Sequence, residues 1–569
     1  MHVSIPRATR RAPAVPLLAA LAAAISTAFA LPAAFAGSFA APPKPPVGTN
    51  TVATADLLVK RPSSTPCVVP LFTNHDFIGF DPYPLSYTPP AGCPGPWAKV
   101  VLQADFNVTA GRQFDRTAVI DVGGVNLYFG TTMEPGGTTP RAWHVERDVT
   151  DYATTLRTAQ AGEAILYNLI DQTYTGHIIG TASLAFYPPA PESPAAKTAQ
   201  TVLPLAPSLV ALSPANPQLK TSVTLPTNVE RLYLDVIAQS QASDEFWYSC
   251  VPDEYTSVLQ SCGGGPFREV EISIDGTPAG VAPVFPWIYT GGISPYLWFP
   301  TPGVQTLNFA PSRIDLTPFA GQVNDGHAHT LSLQVFDAQD NFSVTGTLMA
   351  WSDPGSQVVT GGVTTNTLAA PVVNVNAKGL TIKGNHAHGR LQVSSGRDFT
   401  IAGVVNTSHG PVTTTVATHM GFVNVQHFDI TDQRYVQNID QRTDVRSVTT
   451  TTDASGTATR TTNSHYPLTI GLSEYLSGDD IVLDAAITQE YKRVERGVDA
   501  DGRRWLKAYD DTVTPKARTT IDQATGTTRV SDMTSSQHLF VRAPEMGCYD
   551  RTITVAANAV TAVQDRCTK

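Results

Sequence analysis

Gly111-Arg112-Gln113-Phe114-Asp115-Arg116-Thr117-Ala118-Val119-Ile120-Asp121-Val122-Gly123-Gly124 reads as a loop, a charged pair, a strand and a turn. The same order returns as Gly265-Pro266-Phe267-Arg268-Glu269-Val270-Glu271-Ile272-Ser273-Ile274-Asp275-Gly276. In the second copy Val270, Ile272 and Ile274 alternate with Glu269, Glu271 and Ser273, the period of a strand with two unlike faces. Outward from these stretches the echo continues. Strands expected at 98–108, 116–122, 163–170 and 182–187, and a short turn-like element at 147–152 after a strand at 142–145, have counterparts at 231–238, 268–274, 330–336, 345–351 and, for the turn-like element, 313–319. Five elements in one order imply an internal duplication of an all-β unit. Units of this size with short strands suggest two tandem eight-stranded jelly-roll sandwiches, over 66–205 and 206–355. A third β-rich region, Thr-rich and either solenoid-like or a sandwich, is expected over 356–569.

Arg7, Arg10 and Arg11 precede an alanine-rich apolar run, and small-x-small sites follow, with cleavage expected after Ala36. Residues 1–36 are therefore expected to be a signal peptide and 37–65 a Pro/Ala-rich leader. A secreted or periplasmic destination follows, with no membrane partner. Six cysteines fall in three sequence-local pairs, Cys67/Cys93, Cys250/Cys262 and Cys548/Cys567, and three local disulfides are the simplest reading. The net charge of −10 offers no basic surface for nucleic acid.

No nucleophile elbow, HExxH, Walker A or dinucleotide-binding glycine pattern occurs in the 569 residues. His327-Ala328-His329 and His386-Ala387-His388 have a spacing that puts two imidazoles on one strand face, yet loop histidines are the better reading, and neither metal nor cofactor is expected. Asp115 beside Arg116 is the sharper candidate: a carboxylate at a strand mouth can orient water, and a guanidinium keeps it ionised and can grip a substrate oxygen. Spacing alone leaves a structural ion pair as the alternative. The stretches Ser243-Asp244-Glu245-Phe246-Trp247-Tyr248 and Pro252-Asp253-Glu254-Tyr255 interleave acids with aromatics, as sugar sites do. The later loop adds Trp287, Tyr289, Tyr296 and Trp298. Aligning Arg116 with Arg268 sets Phe267 opposite Asp115, so the acid belongs to the first copy alone. Two diverged halves with complementary features suggest one site at their interface.

The segments 111–116, 168–176, 244–248, 265–270 and 288–293 resemble the plant-type peptide N-glycanases of the amidase A family, with a weaker likeness at 464–468. The resemblance implies hydrolysis of the amide joining N-acetylglucosamine to asparagine, release of the intact N-glycan and conversion of asparagine to aspartate. Flavobacterial peptide N-glycanases, more distant relatives built of two jelly rolls, carry their catalytic aspartate in a Trp-Asp-Arg motif, which matches Phe114-Asp115-Arg116. By that match Asp115 is expected to be catalytic and Arg116 to bind substrate. The two supporting glutamates do not carry over: one falls near Leu169, with Asn168 and Asp171 as polar neighbours, and Glu245 or Glu254 stands in for the other. Asp244, Trp247, Tyr289 and Trp298 complete the expected substrate contacts. The plant-type likeness implies tolerance of core α1,3-fucose, and with the pI of 5.7 an acidic working pH. A monomer acting on N-glycopeptides or glycoproteins is expected. The rival readings are a glycan-binding protein without hydrolysis and an endo-acting glycosidase.

Overall fold

A computed structural model describes residues 41–135 and 137–567; the expected signal peptide lies outside them. The charged stretch of the first copy leads into the strand Thr117–Val122, and Gly123-Gly124 turns it into Val125–Thr131. Both glycines have positive φ, +62° and +74°, as a two-residue hairpin whose twist matches its strands requires. In the second copy Asp275 (+50°) and Gly276 (+77°) join Glu269–Ile274 to Thr277–Pro283 in the same way. Asp and Gly tolerate this backbone because their side chains are short or absent.

Around each hairpin a β-sandwich is built, and every strand pairing in the two is antiparallel. In the first, one sheet runs Cys67–Phe77, Ile178–Tyr187, Lys99–Val108, Arg141–Asp148, and the other Tyr83–Tyr87, Gln160–Leu166, Thr117–Val122, Val125–Thr131. In the second, the orders are Val210–Leu212, Asn341–Ser352, Val229–Gln241, Ser312–Asp315, and Gln218–Val223, His329–Val335, Glu269–Ile274, Thr277–Pro283. Position by position the two orders are the same. The second sandwich also takes an extra edge strand, Thr201–Pro204, on Asn341–Ser352.

The two sandwiches share a firm interface. The Tyr128 hydroxyl donates to Leu307 O at 2.7 Å, Thr131 N donates to Thr306 O at 2.9 Å, and Tyr152 Oη donates to Asp235 Oδ2 at 2.6 Å. Arg313 joins Asp235 at 2.8 Å to Asp151 of the first sandwich at 2.7 Å.

The C-terminal region departs from the solenoid or sandwich expected. It is one twelve-stranded antiparallel sheet, with four consecutive strands of 20–22 residues between His386 and Ser477. One face covers the second sandwich: Phe422 meets Phe267 at 5.1 Å and Tyr466 meets Phe285 at 5.3 Å between ring centroids. Glu269, which strand alternation assigned to the opposite face from Val270, is also buried there, paired with Arg397. The three disulfides pair as expected: Cys67–Cys93, Cys250–Cys262 and Cys548–Cys567.

Residues 41–60 carry no strand but are held on all sides. Ala53 and Ala55 are buried against Leu539, Val541 and Ile553. Arg551 donates to Pro43 O at 3.1 Å, Arg141 to Asn50 O at 2.7 Å, and Val59 N to Glu146 Oε2 at 2.8 Å. No helix among the described residues is long and apolar enough to cross a membrane.

Candidate active site

The hairpin register decides what surrounds Asp115. Thr117 pairs with Thr131, so the residues before the first strand lie beside those after the second. Arg116 N donates to Thr132 Oγ1 at 2.9 Å and Thr132 N to Arg116 O at 2.9 Å. Two residues on, Glu134 comes to the same strand mouth. The loop on the other side is fixed by Gly111 (φ +141°), where a Cβ would come within 2.5 Å of Thr175 Oγ1.

The second sandwich closes the site with the loop after Thr277–Pro283. Thr290 Oγ1 accepts from Glu134 N at 2.8 Å and donates to Thr132 O at 3.0 Å. This stitch brings Gly291 N to Asp115 Oδ2, a donated hydrogen bond of 2.6 Å. A Cβ on Gly291 would lie 3.3 Å from Asp115 Oδ2 and far inside van der Waals contact of Glu134 Oε2. Tyr289 is buried and donates its hydroxyl to Ser240 O. Glu245 follows the short turn Ala242–Asp244 at the end of the strand Val229–Gln241.

Three carboxyl groups thus share one partly desolvated space, and their affinities for protons are pulled apart. Burial raises Asp115 to about 6, opposed by the Gly291 N–H and the Arg116 charge. Burial and then repulsion by Asp115 raise Glu245 to about 7. The same two causes, opposed by Arg116, raise Glu134 to about 8. On titration Asp115 ionises first, leaving two protonated glutamates beside it. Such a separation within a cluster is how acid and base roles are divided. Arg116 donates from Nη2 to Gln113 Oε1 at 2.6 Å, while its buried Nε has no partner among the described residues.

The other expected residues are placed as follows. Asp244 is buried, bonded to Arg268 at 3.1 Å and accepting from the backbone N–H groups of Gln339, Asp340 and Asn341, so its oxygens brace the loop. Trp247 and Trp298 are 1% and 0% exposed, and the Trp298 indole donates to Gly292 O at 2.9 Å. Their faces are closed by core, and they position the loops carrying Glu245 and Gly291. Asn168 is buried, with Nδ2 donating to Phe77 O and Gly176 O. Asp171 caps its own turn by accepting from Thr173 N and Tyr174 N. Glu254 stands exposed inside the loop closed by Cys250–Cys262. Glu134 was missed by sequence reading; counting back across the Gly123-Gly124 hairpin would have found it.

The histidine pairs are bound to carboxylates: His329 to Asp275 at 2.7 Å and Asp325 at 3.0 Å, His327 to Asp325, His386 to Asp432 and His388 to Asp429. Among the described residues Glu230, Asp353 and His409 could converge on a cation. They lie at the opposite end of Val229–Gln241 from Glu245, and Asp353 already accepts from Ser408 N and Oγ and from Gly355 N.

The family model described as peptide N-acetyl-beta-D-glucosaminyl asparaginase amidase A matches residues 59–369, more than half the chain. The chain belongs to this family. The matched span takes in both sandwiches and therefore all of Asp115, Glu134, Glu245 and Gly291. A curated relative is the peptide-N4-(N-acetyl-beta-glucosaminyl)asparagine amidase A of Prunus dulcis, 31% identical over 385 residues. That match covers 63% of this chain and 66% of the almond protein, a little under two thirds of its length. Among solved structures, PNGase F, a glycosylasparaginase from Flavobacterium meningosepticum, aligns at 13% identity and a TM-score of 0.32, covering 51% of this chain and 96% of that one. PNGF-II aligns at 12% identity and a TM-score of 0.33, covering 50% and 66%.

Proposed function

We propose that this protein is a glycoamidase that hydrolyses the amide between N-acetylglucosamine and asparagine in N-glycopeptides and glycoproteins. The observation that carries the reading is the gathering of Glu134 and Glu245 about Asp115, which accepts from the Gly291 N–H at the sandwich interface, in a chain of the amidase A family. Ionised Asp115 takes a proton from water, and the hydroxide formed attacks the amide carbon. Arg116 holds the carbonyl oxygen as it becomes an oxyanion. Protonated Glu134 gives its proton to the departing nitrogen, so the products are aspartate and a glycosylamine, which then loses ammonia. Glu245, also protonated, donates a hydrogen bond to the first sugar.

Three parts of the proposal reach beyond the chemistry. The sandwiches are tandem jelly rolls. The protein works as a monomer outside the reducing cytosol, a reading supported by three disulfides and no free cysteine among the described residues. Core α1,3-fucose is accepted, as the plant-type likeness implies.

Mass spectrometry of a treated glycopeptide tests the reaction. Complete glycan loss with asparagine converted to aspartate is expected. A retained N-acetylglucosamine would mark an endo-glycosidase, and an unchanged glycopeptide a binding protein. Asp115→Asn should lower kcat by about a thousandfold or more without lowering the melting temperature, since the general base is gone and the packing is not.

A further inference from the structure

Beside the candidate site the first sandwich exposes an apolar surface that its own fold does not use. Ile78 is 59% exposed, Phe80 64%, Phe114 42%, Tyr167 40% and Leu169 36%. Large apolar side chains exposed together mark an interaction surface more often than chance packing. The loops that carry them are tied to one another and to the site. Gly79 and Asn168 exchange both backbone hydrogen bonds at 2.9 Å, which sets the Phe80 ring 6.2 Å from that of Tyr167. Gln113 Nε2 donates to Leu169 O at 2.9 Å, and Phe114 is the immediate neighbour of Asp115. Phe114 lies 5.5 Å from Tyr174, and the exposed Arg112 guanidinium stands over both rings at 5.9 and 5.5 Å.

We propose that this surface binds the polypeptide on either side of the glycosylated asparagine, taking apolar side chains of the substrate. The proposal rests on the glycoamidase reading and adds a second recognition element to it. A glycan-binding surface would pair flat rings with amide and carboxylate side chains that meet hydroxyls. Here two of the five exposed side chains, Ile78 and Leu169, are aliphatic. Asn168, the amide between Tyr167 and Leu169, is turned inward onto Phe77 O and Gly176 O. An asparagine held at Asp115 has its flanking residues within reach of Phe114, and extended chain advances about 3.3 Å per residue, so a few residues reach Tyr167 and Phe80. Arg112 suits peptide carbonyl oxygens as the chain enters.

The test uses Asp115→Asn protein, so that binding is read without turnover. Two glycopeptides carry the same glycan, one with Leu and Phe flanking the asparagine and one with Gly and Ser. The apolar peptide should bind about tenfold more tightly, by burial of one or two side chains. In the double variant Ile78→Ser, Phe80→Ser the preference should vanish while affinity for the polar glycopeptide stays. Phe80→Ser alone, whose ring is exposed and whose loss leaves the fold intact, should remove part of it. Equal affinity for the two peptides overturns the proposal. So does a preference that survives in the double variant, or an equal loss on both peptides, which would make the surface a glycan subsite. A native protein that leaves every glycopeptide uncut overturns the glycoamidase reading instead, and peptide discrimination by the Asp115→Asn protein still decides this one.

Discussion

Three carboxyl groups raised to about 6, 7 and 8 set a pH dependence at the scale of single residues. The rate should rise as Asp115 ionises and fall as Glu134 loses its proton, so kcat/KM should be bell-shaped with its maximum between those two values. Glu134→Gln keeps a hydrogen-bond donor and removes the proton, and should lower kcat by about 10²–10⁴ while flattening the alkaline limb. The same substitution has a stability signature. A carboxyl whose proton affinity is raised by folding stabilises the fold below its unfolded value and loses that contribution as pH rises through its folded one. Glu134→Gln should therefore raise the melting temperature at pH 8 and leave it unchanged at pH 4. Gly291→Ala would push a methyl group into the Glu134 carboxylate and disturb the N–H that binds Asp115. A loss of about 10²-fold in kcat, larger than any change in KM, is expected by steady-state kinetics. Asp115 could be singled out beforehand because the run Phe114-Asp115-Arg116 matches a family motif, where spacing alone left it an ion pair. Glu134 could not, because its neighbours are set by hairpin register and by Thr290 of the other sandwich.

Among the elements, the two hairpins and the shared strand order were legible because their cues are local: Gly-Gly, Asp-Gly and alternating apolar residues. The aromatic loops were misleading, since Trp247 and Trp298 on long loops fill a core as readily as they stack on a sugar. Least legible was the C-terminal sheet, whose Thr-rich strands lack a strong apolar period. It proves to carry a row of buried amides aimed at the loop after Glu245. Asn424 Nδ2 donates to Tyr248 O at 2.8 Å, Gln437 Nε2 to Ser249 O at 2.9 Å and Gln426 Nε2 to Cys250 O at 2.9 Å. Gln426→Leu would leave the Cys250 carbonyl and the Gln437 amide without Gln426 as a partner, at about 1–3 kcal/mol for each buried group. A lowered melting temperature together with a smaller fall in kcat, as the Glu245 loop loosens, is the expected result.

For the whole molecule the second sandwich and the long sheet share one core, while the first sandwich keeps a core of its own. A single apolar core runs from Leu234 and Ile272 through Phe285 to Tyr466 and Ile487. The sheet thus braces the second sandwich, the half of the candidate site that carries Glu245 and Gly291, a role that the lack of catalytic motifs in its sequence concealed. The segment 41–60 adds a clasp across all three parts. Its removal should uncover Leu539, Val541 and Ile553, lower the melting temperature by several degrees and raise binding of a hydrophobic dye, measured side by side with the intact chain.

That clasp also has a place in time. Pro43 meets Arg551 across a sequence separation of 508, and Tyr549 Oη donates to Ala55 O across one of 494. Synthesis runs from the first residue to the last, so Ala53 and Ala55, near the start, have no apolar surface to bury against until the final strands exist. What is made first settles last. A ribosome that stops before residue 540 releases a product whose opening stretch stays loose and open to proteases, however well its two sandwiches have folded.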